Sequence, residues 1–122
     1  MKYLQTEAAP AAVGPYSQGS LGGKTIYVSG QLPMKDGELQ TNITEATTAS
    51  LNHVLAIVQS GGGNKENIVK CVVFINDMND FKEMNEAYAR FFGGHKPARS
   101  CIEVSRLPKD AVLEIEAIAV LD

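Results

Sequence analysis

The chain has 122 residues, of which 44% are hydrophobic, and it carries a formal net charge of −3. This length predicts a single domain over residues 1–122, large enough to bury a core without disulfide bonds. The weakly acidic charge and the lack of a Lys/Arg run disfavour a nucleic-acid-binding surface.

Cysteine and histidine are too scarce and too scattered to form a motif. Cys71 and Cys101 are too far apart for a metal or redox motif, and His53 and His95 lack spaced partners. We therefore expect no metal, no cofactor and two reduced thiols, each within an apolar run. No signal peptide and no membrane-spanning segment is apparent, so the expected location is the cytoplasm.

The N-terminal part reads as an irregular segment followed by a strand. Residues 8–14 are rich in Ala and Pro, and Gly14-Pro15 is typical of a turn or an extended corner. Alternation over Thr25–Gln31 predicts a strand, and Asp36-Gly37 predicts a tight turn.

A helix and a strand are expected in the middle of the chain. Apolar residues at i, i+3, i+4 and i+7 predict a helix over Ile43–Ser60, with Asn42 as its N-cap. Gly61–Gly63 ends this helix, and because the glycines follow it they are not a phosphate-binding loop. The β-branched run Ile68–Ile75 predicts a strong strand.

The C-terminal part predicts a second helix and two strands. The helix is expected over Asn79–Phe92, with these residues at inward spacing: Phe81, Met84, Tyr88 and Phe91. Strands are expected over Arg99–Val104 and Val112–Val120, and a Pro-containing turn between them predicts a hairpin. The fold class is therefore α+β, a sheet with two helices packed on one face.

The predicted strands are apolar on both sides, although two helices can cover only one face of the sheet. In the last strand Leu113, Ile115 and Ala117 alternate with Glu114, Glu116, Ile118 and Val120. An uncovered apolar face needs another cover, and we expect it to pack against further subunits with closed cyclic symmetry.

Arg99 and Glu114 are the residues most indicative of chemistry. In a hairpin the two come near each other, and Cys101 shares the face of Arg99 by period-two alternation. A fixed guanidinium binds a carboxylate bidentately, and a nearby carboxylate positions water or moves a proton. This pairing predicts hydrolysis of a small carboxylic acid.

Each of these residues also has a structural interpretation. Arg99 is compatible with a surface arginine at the start of a strand. Glu114 and Glu116 lie on one face of the strand. Each of them is compatible with two environments: a desolvated site that raises the pKa of the carboxyl, or a solvated edge of the sheet. As a further alternative, an ion pair with Arg106 or Lys109 would make the glutamates structural.

For three polar residues the sequence does not decide between a structural role and ligand binding. Asn85 falls within the inward stripe of the second helix, where its amide either caps a backbone group of the sheet or reaches a ligand. Tyr16 and Ser29 flank Gly/Pro turns. Their structural role would be to hydrogen-bond the turn or to pack in the core, and their functional role would be to present hydroxyls to a ligand at one end of the sheet.

The chain resembles the reactive intermediate deaminase A family, also called the YjgF family, nearly from end to end. The segments that carry the resemblance are Ala8–Ala12, Gly14–Gly19, Ser29–Gln31, Val73–Ile75, Asn85 with Tyr88, Pro97–Cys101, Arg106–Asp110 and Glu114–Glu116. The resemblance implies a chorismate-mutase-like fold and a homotrimer in which three sheets line a central β-barrel, with sites between subunits.

The resemblance also implies a reaction and roles for six residues. Members of this type hydrolyse 2-imino acids, such as 2-iminobutanoate and 2-iminopropanoate, to 2-keto acids and ammonia. Arg99 then holds the substrate carboxylate, Glu114 holds the attacking water, and Cys101 lies beside that water. Tyr16, Ser29 and Asn85 line the pocket, and the family selects Glu114 over Glu116.

Other functions stay open at this point. A non-enzymatic trimer that binds keto acids or amino acids as a regulator would use the same arginine. Chorismate mutase shares the fold, but its dianionic substrate would need several cations, and the motif supplies one clear arginine. Ribonuclease activity fits poorly with the acidic charge.

Overall fold

A computed structural model describes residues 1–122 as an α+β fold with one main sheet. The elements are β1 (Lys2–Leu4), β2 (Gly19–Gly22), β3 (Thr25–Gln31), β4 (Met34–Lys35), β5 (Glu38–Leu39), α1 (Ile43–Ser60), β6 (Ile68–Ile75), α2 (Phe81–Phe92), β7 (Ala98–Glu103) and β8 (Leu113–Val120). The six-stranded sheet has the order β1-β2-β3-β8-β6-β7, and β4 and β5 form a separate hairpin. Only β6 and β7 are parallel; the other pairs are antiparallel.

The predicted hairpin between the last two strands is wrong. β7 pairs with β6 alone, as a parallel edge strand, and β6 separates it from β8. The physical reason is that β6, α2 and β7 form a β-α-β unit, whose helical crossover returns the chain parallel to the strand it left. The nine residues between β7 and β8 then carry the chain past β6 to its other side.

The helices agree closely with the sequence pattern. α1 has the predicted bounds, and the side chain of Asn42 accepts a hydrogen bond from the Glu45 N–H at 3.1 Å. α2 begins at Phe81, two residues later than predicted, because a 3-10 turn occupies Met78–Asp80. In its last turn Phe92 is buried, whereas the predicted inward residue Phe91 is only partly covered.

Two N-terminal strands were not predicted. β1 is short and largely exposed, and β2 has two glycines among its four residues, so neither shows a strong β pattern. Both form because β3 offers its edge to β2, which in turn pairs with β1. The predicted Asp36-Gly37 turn is confirmed: it joins β4 to β5, with positive φ at both residues.

The two faces of the sheet differ as the alternation predicts. Both helices share one core cluster with the inward strand residues, among them Val73, Ile115 and fully buried Cys71, whose pKa is raised by burial. The opposite side, here called the open face, carries half-buried or exposed apolar side chains: Tyr27, Val72, Phe74, Ile102, Ile118 and Val120. Val69 is exposed, although period-two alternation would place it on the side of Cys71, because the register shifts between Ile68 and Lys70.

Candidate active site

Arg99 lies on the edge strand β7 and faces α2. Its Nη1 donates a hydrogen bond to Asn85 Oδ1 at 2.7 Å. The guanidinium carbon lies 4.8 Å from the centroid of the Tyr88 ring and 5.7 Å from that of Phe81. The single ion pair of the chain joins Arg106 to Asp110, so no carboxylate of this chain neutralises Arg99. A half-buried, oriented and uncompensated cation is suited to binding an anion.

Cys101 shares the face of Arg99, as predicted. It follows Arg99 by two residues on β7, pairs with Val73 and is half-buried against the core. Burial raises the pKa of its thiol, and the nearby Arg99 charge lowers it to a smaller extent. Because the net shift is upward, Cys101 is a neutral thiol at pH 7, which fits a packing or hydrogen-bonding role better than that of a nucleophile.

Glu114 lies on the open face at the start of β8, and it is partly buried. Its pKa is raised first by burial and then by the neighbouring charge of Glu116. A Cβ atom added at Gly30 would come within 2.5 Å of Glu114 Oε1, so the carboxylate occupies the space that a side chain would fill. The sheet places a desolvated acid directly against backbone, which suits proton transfer.

A β-bulge shapes this region of β3. Val28 pairs with Ala117 and Gln31 with Ile115, so that Ser29 and Gly30 together oppose the single residue Glu116. The buried Gln31 side chain donates a hydrogen bond to the Ser29 carbonyl at 3.0 Å. The bulge therefore brings the glycine backbone to the Glu114 carboxylate.

Tyr16 and Ser29 line one pocket of about 470 Å³, together with Tyr3, Ser17 and Tyr27. The Ser29 hydroxyl donates to the Ser17 carbonyl at 2.6 Å, so the turn-bonding interpretation holds for this hydroxyl. Tyr16 is 52% exposed, which excludes a core aromatic, and its hydroxyl accepts a hydrogen bond from the Val13 N–H at 3.3 Å.

The structure therefore divides the predicted residues into two groups. The cation group, Arg99 with Asn85 and Cys101, lies on the helix side of the sheet. The acid group, Glu114 with Ser29 and Tyr16, belongs to the open face and to the loop beside β3. The expectation that Glu114 comes back near Arg99 in one chain is wrong, because β6 lies between their strands and their side chains point to opposite faces.

The structure also decides between the structural alternatives. Neither glutamate of β8 forms an ion pair with Arg106 or Lys109. Asn85 neither caps the sheet nor lies free: its amide oxygen binds Arg99.

Sequence reasoning missed the roles of Gly30 and of the aromatic residues beneath Arg99. Gly30 stands in a motif, but nothing in the sequence relates it to Glu114. The spacing of Phe81, Asn85 and Tyr88, four and three residues apart, was a usable signal, because it places all three on one helix face.

Other features of the surface lie apart from these two groups. A cavity of about 650 Å³ lies between residues 7–10, the β4–β5 hairpin and α1, and it contains no predicted site residue. Nowhere do three His, Cys, Asp or Glu side chains converge as metal ligands would. None of the helices combines the length and hydrophobicity needed to cross a membrane.

Fold and site together define a small α+β protein that presents a half-buried arginine without a carboxylate partner and, separately, a desolvated carboxylate. A sequence model of the family described as Endoribonuclease L-PSP matches residues 6–121. A protein from Escherichia coli K12 named 2-iminobutanoate/2-iminopropanoate deaminase is 49% identical over 124 residues, covering 98% of this chain and 97% of that protein.

Solved structures agree with these sequence matches. The Escherichia coli TdcF structure with bound serine has a TM-score of 0.96 at 45% identity, with full coverage of both chains. The structure of the Escherichia coli YjgF gene product has a TM-score of 0.97 at 46% identity, again over both complete chains. The chain belongs to this family, the RidA or YjgF family, as its motifs indicated.

Proposed function

We propose that this protein is an imine deaminase that hydrolyses small 2-imino acids to 2-keto acids and ammonia. Its 49% identical relative is named a 2-iminobutanoate/2-iminopropanoate deaminase. The observation that carries the proposal is the Arg99 guanidinium, which is held by Asn85 and has no carboxylate partner. Such a group binds the carboxylate beside the C=N bond and fixes the orientation of that bond.

Glu114 supplies the acid–base function in this proposal. It accepts a proton from a bound water while the water oxygen adds to the imine carbon. It then returns that proton to the nitrogen of the resulting carbinolamine. As the C–N bond breaks and ammonia leaves, Glu114 takes the hydroxyl proton and the C=O bond forms. The raised pKa of Glu114 brings its protonated and ionised forms closer in energy, as a group that both takes and gives a proton requires.

The remaining residues shape the pocket. Cys101, with a neutral thiol beside Arg99, is proposed to lie next to the attacking water. Tyr16, Ser29 and Asn85 are proposed to line the pocket. The water needs no covalent nucleophile, because a protonated imine already accepts water readily and orientation lowers the remaining barrier.

A complete site requires two copies of the chain. Arg99 and Glu114 face opposite sides of one sheet, so a small substrate contacts both only if a second subunit supplies one of them. The open face carries exposed apolar side chains, including Tyr27 and Ile102, that association would cover. We propose a homotrimer with a central β-barrel, in which each site joins the cation group of one subunit to the acid group of the next.

A regulatory trimer that binds keto acids or amino acids is the second candidate. One observation favours it: the relative TdcF has been crystallised with bound serine, an amino acid whose carboxylate would suit Arg99 equally well. An RNA substrate, which the family description names, would need a basic surface, whereas this chain has a net charge of −3.

Keto-acid release from imines tests the proposal. An amino-acid oxidase or threonine dehydratase generates the imine, and semicarbazide traps whatever is not hydrolysed first. Wild type should increase free keto acid and Arg99→Ala should not, because the substrate loses its anchor. Arg106→Ala, which removes an exposed arginine paired with Asp110, is the matched control and should behave as wild type. If wild type does not change the fraction of imine trapped by semicarbazide, for small and for branched imines, the result would favour the regulatory trimer.

A further inference from the structure

Arg99 is held by a neutral acceptor in a position where proteins commonly use a carboxylate. The contact at 2.7 Å from Nη1 runs to the Asn85 side chain, and the acceptor must be Oδ1 because a guanidinium only donates. This is the single hydrogen bond of the Arg99 side chain within the chain, which leaves four of the five guanidinium N–H groups available.

The aromatic rings complete this arrangement without using those donors. Tyr88 and Phe81 face the guanidinium at 4.8 Å and 5.7 Å from their centroids. A cation over an aromatic ring is attracted by the ring face and uses none of its N–H donors for hydrogen bonds. The cation therefore lies against two rings and is held by one hydrogen bond, and its other N–H donors stay free for a bidentate carboxylate.

We propose that Asn85 is a positioning residue that fixes Arg99 while adding no compensating charge of its own. An aspartate of the same shape would make the same contact but would form an ion pair. An incoming carboxylate would then meet a neutral pair and would have to compete with it. The amide, rather than the shape of the side chain, thus leaves Arg99 free to bind an anionic ligand. This inference rests on the proposed function of Arg99.

Binding of 2-oxobutanoate, the keto acid that corresponds to 2-iminobutanoate, tests the charge part of the proposal without turnover. Calorimetry compares wild type, Asn85→Ala and the isosteric Asn85→Asp. We expect the dissociation constant to rise about 5-fold for Asn85→Ala, because the hydrogen bond that orients Arg99 is lost while no contact to the ligand itself is removed. We expect a rise of at least about 50-fold for Asn85→Asp, through the competing ion pair. Asn52→Asp, which adds the same charge on an exposed part of α1, should bind as wild type.

A residue that only fills space would give the reverse order. Asn85→Asp, the smaller change in shape, would then bind at least as tightly as Asn85→Ala, and that result would overturn the proposal. Wild type that binds no 2-oxobutanoate would also overturn the charge part. Binding in the expected order without any keto-acid release would leave the inference standing and remove the proposed deaminase function.

The positioning part has its own readout in the ligand-free protein. The ¹⁵N signals of the Arg99 guanidinium, assigned by their loss in Arg99→Lys, report whether rotation about the Nε–Cζ bond is restrained. We expect separate Nη signals in wild type and averaged ones in Asn85→Ala. Unchanged signals in Asn85→Ala would show that Asn85 does not hold Arg99.

Discussion

Mixing two inactive variants should restore activity if each site is shared between subunits. The separation of the two groups can be worked out from the sheet. Arg99 is in register with Cys71 and Cys71 with Ala117, which places Arg99 two strand spacings, about 10 Å, from β8. Glu114 lies three residues along β8 from Ala117, another ~10 Å. The two Cα atoms are therefore about 14 Å apart, with side chains on opposite faces.

The perturbation is a pair of single variants, Arg99→Ala and Glu114→Gln, each inactive alone because every site lacks one group. In a closed ring, each site takes its arginine from one subunit and its glutamate from the next. After random reassembly of an equal mixture, about one quarter of the sites combine an intact Arg99 with an intact Glu114. Keto-acid release should therefore recover to roughly one quarter of the wild-type rate at equal chain concentration.

A matched control uses the double variant Arg99→Ala/Glu114→Gln in place of Glu114→Gln. Its mixture with Arg99→Ala contains no intact Arg99, so no site recovers however the chains assort. Mixed assembly is verified by native mass spectrometry of chains with different tags. Mixed oligomers without any recovery would refute the shared site and would require both groups to act from one chain.

Two further predictions concern Glu114. Glu116→Gln removes a like charge that raises the Glu114 pKa, so that pKa should fall. Because the ionised carboxylate is the base, kcat/KM declines as the pH drops through this pKa. The acidic limb of the pH profile of Glu116→Gln should therefore lie at lower pH than that of wild type. A limb that stays in place would argue against Glu114 as the base. Gly30→Ala introduces a Cβ within 2.5 Å of Glu114 Oε1 and should displace the carboxylate. We expect kcat to fall about 100-fold, as for a catalytic group misplaced by about 1 Å, while the circular dichroism spectrum stays unchanged. Gly22→Ala is the control and should keep the wild-type rate, because a Cβ there meets no atom within 4 Å.

Local pattern was enough for much of the fold. α1, β3 and β6 have the predicted bounds, because strong periodicity or a long β-branched run dominates each of them. The two-sided character of β8 also follows directly from alternation, and with it the uncovered apolar face. β1 and β2 had no such pattern, since their formation depends on the neighbouring strand that accepts their hydrogen bonds.

Within the candidate site, local relations were predictable but the overall arrangement was not. Alternation correctly placed Arg99 and Cys101 on one face, a relation between neighbours in a strand. The hairpin that would have joined Arg99 to Glu114 was wrong, because strand order depends on how a helical crossover returns the chain. The contact between Gly30 and Glu114 likewise depends on a bulge in the register of two distant strands.

The sequence by itself determined which residues carry charge, which face of each element is apolar, and where the strong helices and strands lie. These properties repeat over a few residues, and short-range sterics and hydrophobicity decide them. The tertiary structure alone decided that Asn85 lies beside Arg99 and that β6 divides the cation from the acid. Contacts between residues distant in sequence depend on which pairings bury the most apolar surface together, and a local pattern does not encode that choice.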